Sequence, residues 1–167
     1  MTRQLFEYAV LRVVPRVDRG ETMNAGVLLY CRPLDYLGSR IWLDEDRLRA
    51  LDPDADAAAV RRALQAAADI CGGDPDAGPP AREDLGKRFR WLTAPRSTVV
   101  QPGPVHTGLT EDPDADAERL LRALVLPVRC PPRPLRRRRA AAPCCPGLWP
   151  RRCWSRRPRG WPTWPAR

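Results

Sequence analysis

The sequence predicts an α+β domain: a small antiparallel sheet opened by a β-hairpin and backed by two or three helices, followed by an unstructured C-terminal tail. Three observations carry that expectation. Two apolar runs rich in β-branched and aromatic residues lie close together at 5–14 and 24–31. The apolar period then changes from two to 3.6 near residue 44. Beyond residue 128 the composition itself changes, because all 20 acidic residues lie before that point and 12 of the 29 basic ones lie after it.

Leu5 to Val14 reads Leu-Phe-Glu-Tyr-Ala-Val-Leu-Arg-Val-Val and stops at Pro15, a strand signature. Both of its alternating faces are largely apolar, which predicts an interior strand. The polar connection 16–22 leads into Asn24 to Cys31, and two strands so joined form an antiparallel hairpin most simply. A turn at Asp35-Tyr36-Leu37-Gly38 is expected to lead into a third strand over Ser39 to Leu43. The next segment places Val60, Leu64, Ala67, Ile70 and Cys71 on one helical stripe. Asp52 is read as its N-cap, Pro53 as its first residue and Gly72-Gly73 as its end. A Pro- and Gly-rich loop follows over 74–82, then a shorter helix over Glu83 to Leu92 that buries Leu85, Phe89 and Leu92. Arg96 to Gly108 holds Thr98-Val99-Val100 and the breakers Pro102, Gly103 and Pro104, so it reads as a short strand with a kinked continuation. A last helix is expected from Asp112-Pro113, burying Ala117, Leu120, Leu121 and Leu124.

Asp-Pro-Asp-Ala-Asp-Ala occurs at 52–57 and again at 112–117. Asp at the first, third and fifth positions invites comparison with a calcium loop, which also needs Gly at the sixth and Glu at the twelfth. Those positions are Ala57 and Ala63 in one copy, Ala117 and Ala123 in the other. Both copies are therefore read as helix N-termini.

Charge and cysteine content divide at the same place. Residues 1–128 carry 17 basic and 20 acidic side chains, a net of −3, so the formal +9 of the whole chain belongs to 129–167. A single domain over 3–128 is the expectation, with a disordered tail rich in Arg, Pro and Trp over 129–167. Two readings of that tail stay open. One is a basic arm able to track phosphates and stack bases. The favoured one is out-of-frame translation of a GC-rich gene, since Arg, Pro, Ala and Gly codons are made of G and C. No apolar run approaches the ~20 residues of a membrane-spanning helix, and the first residues lack an apolar signal core. A cytoplasmic chain with reduced thiols is thus expected. Cys144 and Cys145 are adjacent and no Cys-x-x-Cys occurs, so neither a metal nor another cofactor is expected.

The stretch Tyr8-Ala-Val-Leu-Arg-Val-Val-Pro15, followed by Arg19-Gly20-Glu21-Thr-Met-Asn24-Ala-Gly26-Val-Leu-Leu-Tyr30, resembles the domain-of-unknown-function family 3037 (DUF3037). Arg88-Phe-Arg-Trp-Leu92, Pro95-Arg96-Ser97, Pro102-Gly103 and Thr107-Gly108 fit the same family, and the resemblance spans roughly 5–126. It implies a bacterial domain without an assigned activity, and as a partner a HipA-like kinase encoded nearby.

Arg12, Arg19, Glu21, Asn24 and Arg96 are the candidate residues for binding a ligand or partner. Gly20 allows the backbone to turn between the strands, and Gly26 leaves room above the second one. The competing structural account is a self-satisfied turn in which Glu21 pairs with Arg19 or Arg12 and Asn24 bonds its own loop. His106 is the single histidine, with no Ser or Cys near it, and reads as an ordinary loop residue. Lys87, Arg88, Arg90 and Arg96 flank Phe89 and Trp91 and read as a solvated helix face. Cys31 and Cys71 read as buried small hydrophobes. No phosphate loop, Gly-x-Ser-x-Gly or His-Glu-x-x-His is present, which removes the commonest motif-bearing enzymes. The expected function is a non-enzymatic accessory or protein-interaction domain with no catalytic residues assigned. The alternative is an enzyme or small-ligand binder using the polar cluster, and a third reading is nucleic-acid binding through the tail.

Overall fold

The structure, a computed structural model, describes residues 3–127. The tail over 129–167, with its basic-arm and out-of-frame readings, lies outside the described residues. Four strands form one antiparallel sheet: β1 (Gln4–Val13), β2 (Met23–Cys31), β3 (Tyr36–Ile41) and β4 (Val100–Thr110), in the order β3-β2-β1-β4. The fold is α+β, as the periodicity predicts, and β1 is interior. Four helices accompany the sheet: α1 (Glu45–Leu51), α2 (Ala57–Gly72), α3 (Leu85–Thr93) and α4 (Pro113–Leu124).

The helices cover both faces, which the apolar character of both faces of β1 requires. On one side Leu11, Val13, Met23 and Leu28 pack with Leu48, Val60, Leu64 and Phe89 from α1, α2 and α3. On the other, Phe6, Val27, Leu29 and Cys31 pack against Ala117, Leu120 and Leu121 of α4. Cys31 and Cys71 are buried free thiols. Burial pushes the Cys71 thiol up to about 11, which keeps it protonated at neutral pH.

Two irregularities opposite the middle of β1 decide where side chains point. In the β1–β2 ladder Leu11 pairs with Gly26 but Arg12 pairs with Asn24, so Ala25 is an extra residue. Such a bulge re-aims the side chains beyond it. Met23 thereby packs with the α2 side while Asn24 reaches α4. In the β1–β4 ladder Ala9 pairs with Val105 and Leu11 with Pro102, leaving Gly103 and Pro104 opposite Val10. The prolines do not end β4, because it is an edge strand and a missing N–H on its open side breaks no ladder bond.

The structure differs from the sequence expectation in the starts of β3 and α2, in an additional helix and in the burial of Leu124. Pro33 starts a short 3-10 turn over Arg32–Leu34 and Asp35 takes a left-handed conformation (φ 46°), so β3 begins at Tyr36, inside the expected turn. Helix α1 is one that the apolar period does not predict; Asp44 caps it by accepting from the Arg47 N–H, and it buries Leu48 completely. Its presence shifts the start of α2. The Asp52 N–H is bonded to the Leu48 carbonyl and so holds the end of α1, and α2 is capped by Asp56 instead. At the second copy of the hexapeptide nothing precedes Asp112 but a strand, and there Asp112 caps and Pro113 begins α4 as expected. Identical residues thus serve two connections. Leu124, expected in the core, is 37% exposed at the end of α4.

Candidate functional site

The residues singled out by sequence fall in three places. Arg19 and Glu21 pair with each other at 3.0 Å in the exposed β1–β2 connection. Gly20 between them adopts φ 67°, the left-handed conformation that a side chain would strain. Arg12 and Asn24 are opposite one another in the ladder. The Asn24 amide donates to the Leu124 carbonyl at 2.8 Å, so it secures the exposed end of α4 and not its own loop. Arg12 is half-buried, and its Nε lies 3.2 Å from where a side chain on Gly103 would begin. Glu21 is engaged with Arg19, leaving Arg12 without it. Arg96 lies on the opposite face of the sheet from Asn24, with its guanidinium 4.5 Å from the Trp91 ring centre and bonded to the Trp91 carbonyl.

Two further expectations are corrected by packing. His106 is not in a loop but on β4, where its ring lies 5.3 Å from that of Tyr8. Arg88 is not on a solvated face; it donates to the Cys71 carbonyl at 3.1 Å, where a cation complements the C-terminal end of α2.

A concavity lies beneath α3. It is a groove of about 1010 Å³ bounded by the start of β1, the end of β2 and the 3-10 turn after it. Asp84 fixes the start of α3 by accepting from the Lys87 N–H, and the apolar stripe of α3 drives Phe89 into the core beside Tyr30, ring centres 5.4 Å apart. That orientation leaves Trp91, 42% exposed, on the groove wall, which Leu5, 56% exposed, also lines. Glu7 in the floor is joined to Arg90 at 2.8 Å. Lys87 is paired with Glu83 and Asp84 at the rim, and Arg32 has no side-chain partner among the described residues. Basic lining residues outnumber acidic ones, and both acids are already engaged. A second, mostly apolar groove of about 410 Å³ runs between α2 and β4 on the far side of Trp91. In the sequence Trp91 and Arg90 stand only as parts of a basic face. Leu5, Glu7 and Arg32 gave no local signal, since they meet α3 through long-range packing alone.

The side of β3 toward α4 carries a polar cluster that no local sequence pattern marks. The Tyr36 hydroxyl donates to Asp114 at 3.0 Å, and Arg40 bridges Asp114 and Glu118 of α4. Those bonds hold the Asp114 carboxyl below the usual range, with Arg40 the larger cause. Burial, and then the bond to Asp114, push the Tyr36 phenol up to about 12. Below pH about 10 the folded and unfolded chains both hold this proton. Between about 10 and about 12 only the unfolded chain releases it, so this contribution to stability is lost as pH rises. Spectroscopic titration is expected to show one phenolate forming near pH 12, and Asp114→Ala should bring it to lower pH. Unchanged titration in that variant would contradict the bond.

Among the described residues no three His, Cys, Asp or Glu side chains gather as a metal set, and no helix is long and apolar enough to cross a membrane. A family model described as protein of unknown function (DUF3037) matches residues 8–125. No curated protein and no solved structure matches the chain.

Proposed function

The chain belongs to the DUF3037 family, and from that premise we propose that it is a non-enzymatic accessory domain that docks a segment of another protein in the groove beneath α3. The observation that carries this reading is that two exposed apolar side chains, Trp91 and Leu5, line the same groove as Arg32, a guanidinium without a partner among the described residues. Trp and Arg are among the side chains most enriched in binding hot spots. The occupant is an apolar side chain with a carboxylate close by in sequence, which suits the excess of positive charge in the lining. A kinase-like protein encoded nearby, of the HipA-like kind, is the first natural partner to test.

Selection of displayed random peptides on the immobilised full chain tests this. The enriched peptides are expected to combine an aromatic or aliphatic residue with Asp or Glu. Trp91→Ala and Arg32→Glu should each weaken them about tenfold or more. Binding indifferent to both substitutions would place the capture elsewhere, the Arg-rich tail included, and would overturn the proposal.

A second reading, a small anionic ligand, draws on Arg12, which is half-buried over Gly103 next to Asn24. Metabolite-induced thermal stabilisation that disappears in Arg12→Gln, with Trp91→Ala neutral, would favour it over protein docking.

A further inference from the structure

Among the described residues no strand pairs with the outer side of β4, and that edge has a self-complementary pattern. The Val14 N–H donates to the Val99 carbonyl across the β1–β4 junction. In an antiparallel ladder the bonded direction alternates along each strand, so the even-numbered residues of β1 turn their backbone groups toward β4. Tyr8, Phe6 and Gln4 pair with His106, Gly108 and Thr110. Val105, Thr107 and Leu109 therefore direct their N–H and carbonyl groups outward from the edge.

Nothing in this half of β4 blocks pairing. Edge strands are ordinarily protected by charge, proline or a bulge. Pro102, Pro104 and the bulge protect the first half, but from Val105 to Thr110 there is neither proline nor charge. Val105 and Leu109 are 40% and 60% exposed on one face. The other edge, β3, carries Arg40 bound to α4.

We infer that two copies of this chain join edge to edge through β4, antiparallel about a twofold axis at Thr107. That register places Thr107 opposite its own copy and Val105 opposite Leu109 of the second chain. All three positions present outward-facing backbone groups, as a bonded antiparallel pair requires. The apolar side chains left exposed in one copy meet across the junction, and Thr–Thr and aliphatic cross-strand pairs are favourable. No like charges meet, because the strand has none. The product is a continuous eight-stranded sheet with a C2 axis, the commonest symmetry of soluble oligomers.

Sedimentation equilibrium of the full chain from micromolar to millimolar concentration, at physiological ionic strength, tests the inference. The expected result is a mass rising from one chain to two. Leu109→Lys, at an exposed position that leaves the fold intact, should raise the dimer dissociation constant about tenfold or more. Thr107→Glu and Thr107→Lys should each be monomeric alone and form a dimer when mixed, because opposite charges then meet at the axis. A chain still monomeric at millimolar concentration overturns the inference, as does a dimer indifferent to Leu109→Lys. A mixture that fails to pair overturns the register. Leu109 and Thr107 are the cross-strand partners of the groove residues Leu5 and Glu7. The groove reading is therefore tested separately, by peptide binding to Trp91→Ala and Arg32→Glu, neither of which lies on β4.

Discussion

Replacing Phe89 by alanine is expected to lower stability by about 3–5 kcal/mol, the range found for deleting a buried aromatic ring. Phe89 is fully buried and is the largest side chain joining α3 to the sheet. Its ring stacks on Tyr30, and the Arg90 guanidinium lies 5.5 Å from its centre. A hole left there cannot fill cheaply, because Leu28 and Leu64 of the same core cluster are themselves held on β2 and α2. Domains of this size are stable by roughly 5–15 kcal/mol. The loss should therefore lower the melting temperature by on the order of 10–20 °C and release α3, which forms the groove wall. Phe89→Leu should recover most of the loss. Thermal and urea denaturation of the full chain measure both variants, and a Phe89→Ala cost below about 1 kcal/mol would show the ring to be peripheral.

Gly26→Val sets strand propensity against space. Valine is the better strand former, and removing glycine from a strand interior is worth roughly 0.5–1 kcal/mol in backbone entropy. The structure leaves no room for that gain. A side chain at position 26 would begin 2.9 Å from the Arg40 carbonyl oxygen and 3.3 Å from the Ile41 side chain. The nearest atom is backbone in the neighbouring strand, so β3 itself would have to move. Overpacking of this kind costs about 1–3 kcal/mol, and the clash is expected to win. Urea unfolding midpoints decide it: a variant as stable as the parent would mean that β3 yields easily.

The two substitutions mark different degrees of legibility. Phe89 could be assigned to the core from its helical spacing with Leu85 and Leu92. The clearance at Gly26 could be suspected from the motif, but its cause, the Arg40 carbonyl, belongs to a strand whose register no local pattern states. The candidate site divides in the same way. Arg19 and Glu21 are two residues apart and their pairing was foreseeable. Asn24 and Leu124 are a hundred residues apart, and only the bulge at Ala25 turns Asn24 toward α4. Arg96 carries no mark that separates it from the cluster around β2, yet it stacks on Trp91 on the other side of the sheet.

What the sequence by itself determined is what neighbours within a few residues control. The β-branched runs made strands, the 3.6-residue stripes made helices, Asp112-Pro113 began α4, and Gly73 ended α2 in its left-handed conformation. These follow from backbone dihedrals, capping bonds and side-chain period, all set locally. Only the tertiary structure decided which face each helix covers, where the ladders bulge, and that β4 lies beside β1 to leave an uncharged edge. It also decided that Asp52, with the same local sequence as Asp112, closes one helix and does not open another. The reason is physical: register and facing are fixed by burying apolar surface against elements distant in the chain, and a one-residue shift sends every side chain to the other side of the sheet.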